Sequence, residues 1–319
     1  MDAKRLTSVP MPTASYVTSD SKPRWVVFST FDPLGRTSES AVQQVRAYRE
    51  ADFNVMVVDT SEQPCGTRCA DWEREATCWF QRANVGYDFG SFKAGLLRLT
   101  TTAGLESGKF DVIFVNDSCF GPFIPLAPII EGFDGLPLDA QIICGMTDSV
   151  QEFHHIQSYW IYFRWNVSHF AIEFFLHTMA DAIGRDDAIV KGELALGKFL
   201  LSRECILKVL CPVHTTLARL ARFNGWAGST VELGIRRLFK HWKYNRDVDT
   251  QCLRHLLHRS DQMHFFNPVV LFGVQLHRLG ALPFVKKSML RENLYEDPAV
   301  PAELNSNSMT NAQVHSILR

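Results

Sequence analysis

Two short polar turns hold most of the side chains in this chain that could do chemistry. The first is Asn84-Val85-Gly86-Tyr87-Asp88-Phe89-Gly90-Ser91-Phe92-Lys93, and the second is Asn116-Asp117-Ser118-Cys119-Phe120-Gly121-Pro122. In the first, Gly86 lets the backbone turn tightly and approach a ligand. Asn84 offers both a donor and an acceptor to a base or ribose edge. Asp88 suits a ribose hydroxyl, or equally the N-cap of a helix. Lys93 brings an ammonium for a diphosphate. In the second turn, Asp117 follows directly on an apolar run. A carboxylate at a strand end is a common way to hold a divalent cation against a diphosphate. An Asx-turn before Gly121-Pro122 is the plain alternative use of these residues.

Further candidates lie downstream. A histidine of the pair His154-His155 could ligate a metal or donate to a leaving phosphate. Two loop or strand histidines with ordinary hydrogen bonds are the alternative. Glu193 follows Lys191-Gly192 and is flanked by Leu194 and Leu196, so a partly buried general base is one reading and an exposed helical Glu the other. Cys65 and Cys69 form a lone C-x3-C without further ligands at metal-site spacing.

These residues need elements to position them. The runs 24–30, 53–59, 77–82, 110–115 and 141–145 are apolar and rich in β-branched and aromatic residues, which predicts buried strands. Helical spacing of Val42, Val45 and Tyr48 over 37–51, and an amphipathic run from Phe89 to Leu99, predict helices between them. Strand and helix alternate, so a parallel sheet with right-handed crossovers is expected. Ligands in such sheets bind beyond the carboxyl ends of the strands. Both polar turns follow strands, so they define one candidate site. The stretch 61–75 reads as a polar loop and 121–128 as an irregular, proline-rich segment. The aromatic run 157–164 reads as a strand in an acceptor wall. From Ser168 onward the pattern turns helical, with helices expected to about Ile183, over 187–201, 217–223 and 231–242.

This gives a loose arm over 1–23, an α/β region over 24–165, a mainly helical region of the same domain over 166–296, and a disordered tail over 297–319. With 46% hydrophobic residues the 319-residue chain can bury a sizeable core, and a net charge of −1 gives no pull toward nucleic acid. The eight cysteines are scattered, several inside apolar runs, which points to the cytosol. No apolar leader and no membrane-spanning run is visible. Residues 217–246 carry seven Arg and Lys against one Glu, with Trp226, Phe239, Trp242 and Tyr244 interleaved. That composition suits an interfacial segment on anionic lipid, or a solvated helical face. The phosphate-loop, dinucleotide and nucleophile-elbow signatures are absent, against P-loop enzymes, dehydrogenases and α/β-hydrolases.

In order along the chain, six stretches resemble the rhamnan synthesis protein F family of bacterial polysaccharide glycosyltransferases. They are 84–93, Val115 to Pro122, Gly145-Met-Thr-Asp-Ser149, His155-Ile-Gln-Ser-Tyr-Trp160, Lys191-Gly-Glu193, and Asn267-Pro268 through Gly280-Ala-Leu-Pro-Phe-Val-Lys286 to Leu290-Arg-Glu-Asn293. Trp160 and the Lys191-Gly192 lead depart from the expected pattern. The resemblance implies a GT-A-like nucleotide-diphospho-sugar-binding sheet flanked by helices, with a helical C-terminal part. It implies transfer of rhamnose or another deoxyhexose from a nucleotide-sugar donor to a polymeric or lipid-linked glycan such as O-antigen. Asn84, Gly86, Asp88, Lys93, Asn116 and Ser118 would then line the donor, and Asp117 would stand at the metal motif, for Mg²⁺ or Mn²⁺. His155, Gln157 and Tyr159 would shape the sugar and acceptor side. Asp148 or Glu193 would be the base, with inversion at the sugar. The expected location is the cytoplasm, with peripheral contact to the inner face of the plasma membrane.

Two other readings compete. One keeps the fold without the chemistry, as a nucleotide-sugar- or glycan-binding subunit of a synthesis complex. The other is a different nucleotide-using transferase such as a sulfotransferase, disfavoured because only Arg36 lies near a phosphate loop at 29–35.

Overall fold

A computed structural model of the chain describes residues 22–63, 67–102, 105, 109–149, 152–182, 184–212 and 282–287. The apolar runs form strands β1 (Arg24–Thr30), β2 (Asn54–Asp59), β3 (Cys78–Gln81) and β4 (Asp111–Asn116), paired in parallel in the order β3-β2-β1-β4. Helices α1 (Glu39–Glu50), α2 (Thr67–Glu75) and α3 (Tyr87–Thr102) make the crossovers. The sheet continues through β8 (Trp160–Phe163), antiparallel to β4, to β6 (Ile142–Ser149), antiparallel to β8. On the far side of β6 lie β9 (Ile206–Cys211), parallel, and the short β7 (His155–Ile156), antiparallel. A hairpin-sized second sheet pairs β5 (Cys119–Phe120) with β10 (Val285–Lys286).

Strand residues alternate between two cores, because successive side chains point to opposite faces. Val26, Phe28, Val55 and Val57 pack with α1, with Trp72 of α2, and with Ile130 and Phe133 of α4 (Ala127–Asp134). Trp25, Val27, Met56 and Val58 pack with Phe92, Leu96 and Leu99 of α3. The same second core takes in α5 (Ser168–Ile172), the π-helical stretch Glu173–Thr178 that continues it, and α6 (Ala195–Ser202). A sheet buried on both faces reads as unbroken apolar runs, which is why these strands were visible in the sequence. The mixed α/β architecture with helices on both faces is as expected.

Four elements were not expected. The polar loop 61–75 contains α2, which holds its place through Trp72 and two ion pairs. Arg68 meets Asp59 at 2.9 Å with both side chains buried, and Arg46 grips Glu75 through two bonds of 2.7 and 2.6 Å. The Arg46 contact holds the Glu75 carboxyl down at about 2 against the opposing effect of its burial. Helix α4 begins inside the proline-rich segment, at Ala127. In the region expected to be mainly helical from 166, the described residues also include β9 and β10. Cys69 in α2 is disulfide-bonded, which the scattered-core reading of the cysteines did not anticipate. No helix among the described residues is long and apolar enough to cross a membrane. The arm up to residue 21, the tail and the basic aromatic segment 217–246 lie outside the described residues.

Candidate functional site

The strand order reverses between β1 and β4, and the ends of both strands carry polar residues. Such a switch point leaves a crevice where the crossovers leave in opposite directions. Ser29 of β1 lies in register with Asn116 of β4, and Thr30 with Asp59 of β2. Because β8 and β7 run antiparallel to their neighbours, they present their first residues at this same edge. Trp160 stands opposite Val115, and His155 opposite Ser149. The topology therefore gathers nearly all the expected site residues along one edge of the sheet.

Asp88 joins the two polar turns. Its Oδ2 accepts a hydrogen bond from Asn116 Nδ2 at 2.8 Å, and its Oδ1 accepts one from Ser29 Oγ at 3.2 Å. It is the second residue of α3, and it reaches across to two strands instead of capping its helix. Burial, reinforced by the nearby Asp117 charge, pushes its carboxyl up to about 6, against the pull of Lys286 and of the Ser29 and Asn116 donors. Asn116 makes the Asx-turn: its Oδ1 accepts the Ser118 N–H at 3.1 Å. That leaves Asp117 for other work. Its N–H donates to the Ser29 carbonyl at 3.1 Å, and its Oδ2 accepts from Thr30 Oγ1 at 2.9 Å. Its Oδ1 takes no hydrogen bond from a described residue. Lys286 Nζ donates to Ser118 Oγ at 2.9 Å.

The first turn is held from behind. Arg82 donates to the Val85 carbonyl at 2.6 Å and to Ser91 Oγ at 3.2 Å. Gly86 has φ +77°, and Tyr87 follows in the same left-handed region at +53°. A Cβ at Gly90 would stand 2.1 Å from the Val85 carbonyl oxygen. Gly90→Ala is therefore expected to cost roughly 1–3 kcal/mol, as overpacking does, and to open this turn. Urea melts check the first part, and an unchanged midpoint would show that the turn relaxes freely. Asn84 is half-buried at the rim and makes no side-chain hydrogen bond with the described residues. Lys93 lies five residues beyond Asp88, about 140° around the helix. It pairs with Asp181 at 3.2 Å, so the structure does not bring it to the Asp88 cluster.

Farther along the edge, the polar groups are turned into the protein. Thr147 Oγ1 is hydrogen-bonded to Gln157 Oε1 at 2.7 Å and to the Tyr159 hydroxyl at 3.1 Å. Gln157 and Tyr159 are each only 3% exposed, so their polar groups face the protein interior. His155, also buried, has Nδ1 2.9 Å from the Phe153 carbonyl and Nε2 3.2 Å from Glu193 Oε1. A carbonyl and a carboxylate can only accept, so both ring nitrogens carry protons. Burial works against that cation, yet the Glu193 hydrogen bond and charge outweigh it and raise the His155 pKa. Glu193 Oε2 takes the Ser158 N–H at 2.9 Å and the Ser158 hydroxyl. Burial would raise this carboxyl, but His155 and Ser158 together bring it down to about 2. With both oxygens engaged, Glu193 is a weak base and a strong anchor. Gly192 beside it faces the Phe89 ring, where a Cβ would come within 2.5 Å. Asp148, buried, meets His154 Nε2 at 2.9 Å, and His154 is the more exposed partner. Among the described residues, no group of three or more His, Cys, Asp or Glu side chains converges as a metal site would.

Residues 73–209 match the family model of rhamnan synthesis protein F. The resemblance carried by the motifs holds over that stretch. The virulence protein VirA of Vibrio anguillarum is 29% identical over 219 residues, which are 67% of this chain and 62% of VirA. The chain thus spans less than two thirds of the curated relatives it matches. A solved structure titled as the apo form of the bifunctional glycosyltransferase WbbM aligns with 62% of this chain and 40% of its own, at 12% identity and a TM-score of 0.35.

The rhamnan synthesis protein F match takes in Asp88, Asn116, Asp117, Ser118, Asp148, His155 and Glu193. It stops short of four residues that complete the crevice. Ser29 and Thr30 come from β1, Phe31 follows it and donates its N–H to Asp117 Oδ2 at 3.4 Å, and Lys286 comes from β10. Ser29 and Thr30 were readable only as the end of an apolar run. Lys286 lies 168 residues from its partner Ser118, a pairing without a local signature. His154 was visible as half of a histidine pair, but nothing in the sequence says which of the two faces Asp148.

Proposed function

We propose that this chain is a glycosyltransferase. It moves a sugar, rhamnose or another deoxyhexose, from a nucleotide-diphosphate donor to a growing surface polysaccharide or O-antigen. The observation that carries this reading is the hydrogen bond from Asn116 to Asp88, which joins two turns 28 residues apart into one polar cluster at the switch point. The family match over 73–209 supports the same class of activity. In this reading Asp88, Asn116 and Ser118 form the floor under the donor, with Asn84 and Gly86 at the rim.

Asp117 and Asp88 supply two carboxylates, and Mg²⁺ is usually bound through one or two carboxylates plus phosphate oxygens. The unengaged Oδ1 of Asp117 and the raised pKa of Asp88 suit a Mg²⁺ or Mn²⁺ ion. Its contribution would be to balance charge on the diphosphate. The acceptor hydroxyl gives its proton to the Asp148–His154 pair, where the carboxylate orients the imidazole. Attack from the face opposite the diphosphate inverts the sugar. In this reading the work is done on the cytoplasmic side, and contact with anionic membrane through 217–246 rests on composition alone.

The second reading, a nucleotide-sugar-binding subunit without transfer, is favoured by one observation. Glu193, a candidate base, is fully engaged by His155 and Ser158. A thermal-shift screen with UDP-, dTDP- and GDP-sugars in the presence of Mn²⁺ tests both. A donor at about 100 times its Kd adds about 2.7 kcal/mol, several degrees in Tm. A shift with nucleotide release on adding glycan acceptor supports the transferase. A shift without release supports the subunit, and no shift with any donor overturns both.

A further inference from the structure

The segment 282–287 reaches the crevice from the far end of the chain, and it is firmly seated. Leu282 and Phe284 are buried in the core shared with α1 and α4. The Pro283 carbonyl accepts the Phe123 N–H at 2.9 Å, and the Lys287 N–H donates to the Ser118 carbonyl at 2.9 Å. Between these anchors, Lys286 stands opposite Cys119 in the β5–β10 pair. The backbone thus fixes where Lys286 lies without needing its side chain.

The side chain goes to the crevice. Its ammonium donates to Ser118 Oγ and lies 5.6 Å from the centre of the Tyr159 ring. It forms no ion pair within 4 Å among the described residues, although Asp88 and Asp117 stand nearby. An ammonium has three N–H donors, and Ser118 occupies one. A half-buried cation with spare donors, set beside the two acidic residues of the switch point, is equipped for an anionic ligand that those acids alone would repel.

We infer that Lys286 is the cation that binds the diphosphate of the donor and balances the charge on the departing nucleoside diphosphate. The inference rests on the transferase reading above and assigns the leaving-group side of it. During transfer the acceptor oxygen bonds to the anomeric carbon, and the bond from that carbon to the diphosphate oxygen breaks. The electron pair stays on the diphosphate, and the acceptor proton goes to the base. One unit of negative charge appears on the diphosphate, at the place where fixed positive charge is most effective. The pairing of β10 with β5 then has a purpose beyond packing, since it delivers the lysine.

The test is calorimetric titration of wild type, Lys286→Met and Lys286→Arg with UDP, dTDP and GDP and with the matching monophosphates. Methionine keeps the stem and loses the charge. The expected result is a loss of tenfold or more in diphosphate affinity for Lys286→Met, little change for the monophosphate, and recovery of most of the loss in Lys286→Arg. Equal losses for both nucleotides, without rescue by arginine, would assign Lys286 a packing role and overturn the inference. Unchanged diphosphate binding in Lys286→Met overturns it while leaving the transferase reading intact. A wild type that binds none of the diphosphates overturns both.

Discussion

Asp117→Asn is expected to lower transfer by on the order of 10²–10³-fold, the usual cost of removing one preorganised electrostatic contact from an active site, while the protein melts as wild type does. The fold should tolerate the change because Asp117 is half-exposed and its structural bonds survive it. The backbone N–H to the Ser29 carbonyl is untouched, and an asparagine carbonyl can still accept from Thr30 Oγ1. What is lost is the charge facing the crevice through Oδ1. If a divalent ion sits there, the variant loses a ligand. If Lys286 carries the neutralisation alone, the variant loses the partner that holds the local field in balance. Nucleotide release with the donor found by thermal shift, at saturating Mn²⁺, measures the effect. Full activity in a folded variant removes Asp117 from the mechanism. Retained donor binding without release, in wild type as well, would favour the non-catalytic subunit.

The sheet was legible because its strands are buried on both faces and leave unbroken apolar runs. The two turns were legible because glycine, Asn and Asp cluster where those runs stop. Helix α2 was hidden because its hold on the sheet is Trp72 and the Arg68–Asp59 and Arg46–Glu75 pairs, which look like surface charge in a one-dimensional reading. Strand β9, Ile-Leu-Lys-Val-Leu-Cys, was missed although five of its six residues are apolar, because a short apolar run does not by itself separate a strand from a helix. Within the site, residue types were readable and pairings were not. Asp88 could equally have been an N-cap, and only the closeness of β1 and β4 to the start of α3 decided otherwise. Lys93 had the right chemistry, but its position around the helix sends it to Asp181. Glu193 had the chemistry of a base, and its neighbours in space, His155 and Ser158, make it an anchor.

That last assignment predicts a large stability effect. Glu193→Ala should destabilise the fold by about 3–5 kcal/mol, because it strands a buried imidazolium whose partner is gone. Glu193→Gln should cost less and expose the pH dependence. In the folded chain Glu193 titrates near 2, against an ordinary value of 4.5, so its contribution is complete above about pH 4.5 and fades as pH falls toward 2. The folded pKa of His155 is raised above 6.5, so its contribution is complete below that value and fades as pH rises through the folded pKa. The gap in stability between wild type and Glu193→Gln is therefore widest between about pH 4.5 and 6.5 and narrows on both sides. Urea melts across pH 3 to 9 measure it, and a gap that does not change with pH would reject the ion pair. The same variant separates anchor from base. Glutamine accepts no proton from the acceptor sugar, so a catalytic Glu193 would leave Glu193→Gln inactive even where it is fully folded. An anchoring Glu193 leaves transfer measurable at low temperature, lost only as the wall formed by His155, Ser158 and the Gly192–Phe89 contact loosens. The two outcomes differ in whether activity follows the folded fraction, and the hydrogen bonds to both Glu193 oxygens favour the second.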